Sequence, residues 1–556
     1  MRHPGVVIAL ATLLFALLPL PMLASSTQDN GQRVRELDDP IVADLEDILL
    51  ESGSLFLSYA APYSDAELRS ALGRIDPDKL SDSGRIKYDR IREALRPDPG
   101  YTSGELAAKA KLDAALDANW RSDDEIPWVL GYQRRPSFLA FSAEAWAGSW
   151  AYGYSEADLK RDYRAVNDPL SSIQYSNFTS LPIDFIDTDG SFPFRAFGAA
   201  GGDFWDFKIG RDKLSLGSMD DDNLVVSSTP EWYDYARLAF FFRDFEYSGY
   251  LVQLDPERNL YMHRAEFLFF DRLSVGLTEG MLVGDAAPEL RFFDPFMILH
   301  GYEAWHDDLI SDPTTGDTLN AAPTERQSGM DDGVGSMLGV ELDYDPWKYL
   351  TLVAQYQFNA GRDPIKMLLW PNEVSTIPNS AAYLLGAKFR APWEGGYLKG
   401  ELCGAYSEPF DMVLGNDLVS YIYRRELNSN APNPDGIDYS EQWIGFSEGP
   451  DCILASLKLG YETMDRKSLD LLISYRWKGQ NDFSTVYAWS SSNSAERTPT
   501  GIVEGRFRIG AQGSLPIGEH WSLASAFYYT HRTNADNAQG VSDQSVELLA
   551  GVRLEF

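Results

Sequence analysis

The chain has 556 residues, 83 acidic against 48 basic side chains, a formal net charge of -35 and two cysteines. Two cysteines exclude a disulfide-dense mini-protein and a Cys-ligated metal cluster. The acidity argues against nucleic acid as a partner, because a phosphate backbone selects a basic face. With 29 Phe, 29 Tyr and 14 Trp, the chain is not disordered throughout.

Arg2 and His3 precede an apolar run from Val6 to Leu20, and small residues follow at Ala24, Ser25 and Ser26. That order of charged start, apolar middle and small-residue cut predicts a secretory signal over residues 1–26. Its removal takes Arg2 and no acid, which leaves 47 basic against 83 acidic side chains, or -36. Beyond it no run of 18 apolar residues predicts a membrane helix.

Residues 27–130 read as a small helical unit. Ile41, Leu45 and Leu49 share one helix face. Ser64 and Glu67 have capping-box spacing ahead of Leu68 and Leu72. Ser83 is the expected cap of a helix carrying Tyr88, Ile91 and Leu95, and an Ala-rich third helix is expected from Glu105 to Trp120.

From Pro136 the apolar period changes from 3.6 to 2. Val546, Leu548, Ala550, Val552, Leu554 and Phe556 alternate with mostly polar neighbours. Leu469, Leu471, Ile473, Tyr475 and Trp477 do the same, as do Leu350, Leu352, Ala354, Tyr356 and Phe358. Alternation alone also fits a soluble sandwich. Strands of about 9–12 residues suit a tilted bilayer crossing instead. Aromatic residues at strand ends suit an interfacial girdle.

Short connections are expected near Arg243–Phe245, Asp271, Asp345–Trp347, Trp393–Gly395, Met464–Arg466 and Pro516–Glu519, with longer segments between them. Outer-membrane barrels place tight turns on the periplasmic side and long loops outside. If the last strand ends at the periplasm, all these turns fall on that side. Counting back gives 14 strands to about Asp203, and 136–200 should hold two to four more. The expectation is therefore an all-β transmembrane barrel of 16–18 antiparallel strands over residues 131–556. It lies in the outer membrane, with the α-helical N-terminal unit in the periplasm. Phe556, closing a six-position apolar face, resembles the terminal signal read by barrel-assembly machinery.

The stretches DFKIGRDKLSLG, NLVVSS, YMHRAEFLFFDRLSVGLTEG and RFFDPFMILHGYEAW lie between Asp206 and Trp305. This run resembles the capsule-assembly Wzi family of outer-membrane proteins. The resemblance implies an 18-stranded barrel, a helical periplasmic unit near its lower mouth, and a lectin that holds surface polysaccharide.

Strand parity puts Arg237, Arg243, Arg264, Glu266, Arg476, Glu504, Arg506 and Arg508 in the lumen. They read either as a solute-selecting constriction or as a salt-bridged plug. A porin-like channel is the alternative function, and the -36 balance then predicts cation preference. Glu279 breaks parity, which calls for a bulge or for a strand that has already left the membrane. Trp232, Tyr233 and Tyr235, and Tyr302 and Trp305 with Asp307 and Asp308, lie in predicted loops. Sugar rings stack on such aromatics and carboxylates accept from hydroxyls, so these are the candidate glycan contacts; solvated loop surface is the plainer reading. Asp331-Asp332-Gly333 alone supplies too few oxygens for calcium. No metal or other cofactor is expected. Neither G-x-S-x-G nor H-E-x-x-H occurs, so no enzyme is expected. Cys403 and Cys452 both point inward, and a disulfide between them is as compatible with the pattern as two free thiols.

Overall fold

The computed structural model describes residues 30–96, 101–103, 106–123, 126, 128–131, 135–161, 181, 188–189, 194–255, 258–284, 288, 290–294, 297, 299, 334–359, 380–413, 420–426, 439–485 and 496–555. The expected signal segment, Tyr302, Trp305, Asp307, Asp308, the Asp331–Gly333 motif and Phe556 lie outside them.

Three helices open the described chain: α1 (Pro40–Ser52), α2 (Asp65–Leu72) and α3 (Asp82–Ala94). Asp39 caps α1 by accepting from the Ile41 amide at 2.8 Å, and Gly53 ends it in the left-handed region at φ 79°. Ser64 and Glu67 form the expected capping box of α2. The cap of α3 is Ser81 rather than Ser83, because Ser81 Oγ accepts from the Gly84 amide at 3.1 Å. Leu45, Ile48, Leu68 and Ile91 are fully buried and pin the three helices together.

The expected third helix is a strand. Leu106–Arg121 is β1 of the barrel, and it pairs antiparallel with the last strand from Asp113↔Glu555 to Arg121↔Glu547. The helical content of 27–130 therefore ends before residue 106. Leu112, Leu116 and Trp120 stand on the outer face, each more than a third exposed, with small alanines between them. Alanine at every second or third position reads as helical from propensity alone, and the closing strand opposite overrides it.

The remaining strands are β2 (Leu139–Ala147), β3 (Ala151–Leu159), β4 (Arg195–Gly201), β5 (Trp205–Asp212), β6 (Tyr233–Phe241) and β7 (Phe245–Asp255). They continue with β8 (Arg258–Phe269), β9 (Leu273–Gly284), β10 (Val334–Trp347), β11 (Leu350–Asn359), β12 (Ala381–Trp393) and β13 (Gly396–Ser407). The last five are β14 (Cys452–Thr463), β15 (Ser468–Lys478), β16 (Glu504–Ile517), β17 (Trp521–Thr533) and β18 (Ser542–Glu555). All eighteen pair antiparallel with their chain neighbours and close into one barrel. The fold is the one found in outer-membrane barrels. Closure removes the open edges that would otherwise expose unpaired backbone.

Every expected tight turn lies at one mouth, which is also the mouth where β18 ends. The long connections lie at the other. Leu469, Leu471 and Ile473 are about half exposed on the outer wall, whereas Ser474 faces in and is buried. No helix among the described residues is long and apolar enough to cross a membrane.

The helical unit sits in the tight-turn mouth. The Leu55 amide donates to the Asp271 carbonyl at 2.9 Å in the β8–β9 turn. Arg90 reaches the Met464 carbonyl at 2.6 Å and Arg466 reaches Asp44 at 2.6 Å, both in the β14–β15 turn.

Candidate functional site

The lumen is occupied by a column of chain that enters from both ends. After α1 the chain rises into the barrel, and Ala60–Ala61 pair with Leu216–Ser215 of the segment between β5 and β6. The Gly217 amide donates to the Tyr59 carbonyl at 2.9 Å, and Leu216 bridges to Val226. The Ser227 amide donates to the Ile444 carbonyl at 2.7 Å. Ile444 belongs to a roof built on the hairpin Ile422–Glu426 with Tyr439–Trp443. Hydrogen bonds thus run without a break from the helical unit to the roof at the loop mouth.

Two glycines permit this contact. A Cβ on Gly445 would stand 1.9 Å from the Leu224 carbonyl oxygen. Gly217 has φ 133°, and a Cβ there would meet Asn223 Oδ1 at 2.1 Å. Asn223 closes the intervening turn by donating to the Met219 carbonyl at 2.9 Å. The NLVVSS motif is therefore the buried middle of the column, and Leu224 and Val226 sit in its apolar core.

Ion pairs lock the column to the wall. Arg237 of β6, fully buried, pairs with Glu246 of β7 and with Glu67 of α2 at 2.9 Å each, and with Asp206 of β5 at 3.3 Å. Arg264 and Glu266 pair with each other at 2.8 Å, and Arg264 also meets Glu341 at 2.6 Å. Glu266 then accepts from the Tyr59 amide at 2.9 Å and from Ser58 Oγ at 2.8 Å.

A stripe of acids on α1 makes the second lock. Asp44, Asp47 and Glu51 lie one turn apart on one face, and all are buried. Asp47 meets Arg390 at 3.2 Å, Lys399 at 3.5 Å, and Lys87. Neighbouring Glu46 meets Lys388 and, at 2.9 Å, Arg390. Burial pushes the Asp47 carboxyl up, but Lys399, Lys87 and Arg390 together outweigh it and hold it down at about 2. Sequence reasoning missed this stripe. Its signal was three acids at one-turn spacing on a face that should have been apolar.

The third lock is at the loop mouth. Glu448 of the roof meets Arg476 at 2.7 Å, and also Arg506, while Glu504 meets Arg476. Arg508 donates to Thr530 at 3.3 Å. Seven of the eight expected lumen charges therefore stand inside the barrel. Arg243 does not: it lies exposed in the β6–β7 turn beside Asp244 at 3.7 Å. Its parity is right, but the strand ends at Phe241.

The expected glycan aromatics are placed differently. Tyr233 and Tyr235 are buried in the column's core, and Trp232 packs edge-on against Phe194 at 5.4 Å. None of these three offers a ring face to a sugar in solvent. They had read as loop residues because the segment before them looks like an outward loop, whereas it turns inward.

Glu279 needs no bulge. The β8–β9 register is continuous, and Glu279 lies opposite His263 on the outer face. Close by, Phe292, Met297 and Leu299 of the following connection fold over Tyr261, Met281 and Val283. Cys403 and Cys452 are free and buried, which decides the open disulfide question. Their strands pair with Cys403 opposite Ser456 and Cys452 opposite Ser407, so the stagger keeps the thiols apart.

Neither a family model nor a curated protein matches the sequence. Among solved structures the chain is similar to Wzi, an outer-membrane protein involved in group 1 capsule assembly in Escherichia coli and a carbohydrate-binding β-barrel. That likeness has a TM-score of 0.56 at 13% identity and covers 94% of this chain and 99% of that one. Pseudomonas aeruginosa OprD follows at TM-score 0.38 and 9% identity, over 81% of this chain and 95% of that one. OmpT of Vibrio cholerae gives 0.33 and 8%, over 82% and 99%. The first of these likenesses establishes the shared fold of an outer-membrane β-barrel with eighteen strands here.

Proposed function

We propose that this chain is a Wzi-like protein of the outer membrane, a non-catalytic barrel that binds or anchors surface polysaccharide, with its helical unit in the periplasm. The observation that carries the reading is the hydrogen-bonded column from Tyr59 to Ile444. A diffusion channel keeps its bore clear. This barrel fills much of its bore with apolar core and buried ion pairs, which suits a rigid platform for loops. The motif stretches between 206 and 305 support the same reading, since NLVVSS lies within the column and Phe292, Met297 and Leu299 lie against the barrel's outer wall. So does the fold likeness to a carbohydrate-binding barrel over nearly the whole chain.

The test is binding of the detergent-purified protein to a glycan array and to whole surface polysaccharide. Saturable binding to one or more glycans is the expected result, and a blank in both contradicts the proposal. In planar bilayers the same preparation should give no steady conductance. Open, long-lived steps would favour the porin-like alternative.

A further inference from the structure

The inner wall of β12–β16 has a charge opposite to that of the chain. Strand parity turns eight basic side chains inward there against four acidic ones. The balancing carboxylates come from inserted segments: Glu46 and Asp47 from α1, Asp220 and Asp221 from the inward loop, and Glu448 from the roof.

Beside the column this wall keeps a cavity of about 280 Å³. Its basic lining is Lys388, Arg390, Lys399 and Lys458, and the wall's own acids in it are Glu401 and Asp470. Gly460 helps keep it open, since a Cβ there would meet Asp470 Oδ1 at 2.5 Å. Glu46 and Asp47 hold Lys388 and Arg390 from the plug side.

Asp220 and Asp221 approach the same cations from the cavity side. Asp220 meets both Lys388 and Arg390 at 3.3 Å, and Asp221 meets Lys458. The two carboxylates are 49% and 52% exposed, whereas Lys388 and Arg390 are 4% and 7% exposed. Other contacts also hold the turn that carries them: Lys388 donates to the Ser218 carbonyl at 2.5 Å and the Asp220 amide donates to Glu401 at 3.2 Å. The Ser218 amide donates to Glu341 at 2.7 Å, and Asn223 closes the loop. Turning the Asp220 and Asp221 side chains removes the carboxylates that face Lys388, Arg390 and Lys458 from the cavity, while Glu401 stays 3.5 Å from Lys458 and Glu462 stays 2.8 Å from Lys399.

We propose that this cavity is a binding site for a small dianion, either two carboxylates or one phosphate group, and that Asp220 and Asp221 occupy it as an internal competitor. Charge-assisted hydrogen bonds to Lys and Arg supply the recognition. The site selects anions, against the cation preference that net charge alone predicts, because the local wall and not the distant surface sets the field in a confined space. This inference does not depend on polysaccharide binding.

The experiment is calorimetric titration of succinate into the full-length detergent-solubilised protein at low salt. Uncharged succinamide is the control, and inorganic phosphate is the second arm. Saturable succinate or phosphate binding without succinamide binding is expected. Lys458→Gln should weaken it at least tenfold, and the double variant Asp220→Asn with Asp221→Asn should tighten it about tenfold by removing the competitor. Both variants are first checked for folding by heat-modifiable gel mobility. If only the Lys458→Gln protein folds, its loss of affinity is the deciding readout. No anion binding by the wild type, equal succinamide binding, or an affinity that Lys458→Gln leaves unchanged overturns the proposal.

Discussion

Arg237 shows how far a single residue reaches in this barrel. Its guanidinium holds three carboxylates from three different elements, and all four side chains are buried. Replacing it by Met leaves three unpaired buried acids, and breaking such a group costs about 3–5 kcal/mol. Arg237→Met should therefore loosen the helical unit, seen as faster protease cleavage near residues 53–63 with the barrel intact. Asp47 gives the corresponding pH dependence. Its pKa is depressed to about 2 in the folded protein from an ordinary value near 4. It thus contributes stability above pH 4 that is lost as pH falls through about 2, on the order of 2 kcal/mol. Protease protection of the helical unit should hold at pH 5 and fall between pH 4 and pH 2. In Asp47→Asn that acid step should shrink. At this scale the sequence was partly legible. Parity located Arg264, Glu266, Arg476 and Arg506 in the lumen, because period 2 fixes facing. It did not show their partners, since Glu67 and Glu448 come from segments with no such period.

At the scale of elements, legibility followed the strength of the repeat. The count of fourteen strands back to about residue 203 matches β5–β18, and the expected tight turns fall between them. Among its described residues the stretch 136–200 holds three strands, within the two to four expected. The first strand was missed because Ala107, Ala108, Ala110, Ala114, Ala115 and Ala118 blur the alternation that Leu112, Leu116 and Trp120 carry. Its role as closing strand has a direct test. Ala118 and Ala550 face each other across the β1–β18 seam. Cysteines at both positions should cross-link under mild oxidation, as cross-strand neighbours about 4.5–5.5 Å apart permit. A helix over 105–120 would leave them uncoupled. The inward course of 213–232 was also illegible, because an acidic DDD followed by aromatics has the composition of a surface loop. Its long-range contacts, such as the pairing of Ser215–Leu216 with Ala60–Ala61 and the Ser218 amide on Glu341, reveal its direction.

For the whole molecule, the two faces of the wall tell one story. An outward band of Leu, Ile, Phe and Trp surrounds a lumen of buried ion pairs, the reverse of a water-soluble protein. A net charge of -35 says little about that arrangement, because the inner wall of β12–β16 is locally basic and holds inserted carboxylates such as Asp220 and Glu448. Helical plug, inward loop and roof are joined in series, so loosening one end should loosen the other. In Arg237→Met, the roof around Trp443 and Phe483, stacked at 4.3 Å, should gain protease sensitivity along with the plug. The most direct measurement of the central claim is gel mobility of the protein with and without boiling, after separation of membrane and aqueous fractions. A closed barrel in lipid predicts recovery only with detergent and a faster-running unboiled band. A folded monomer in the aqueous fraction, with one mobility before and after heating, would contradict it.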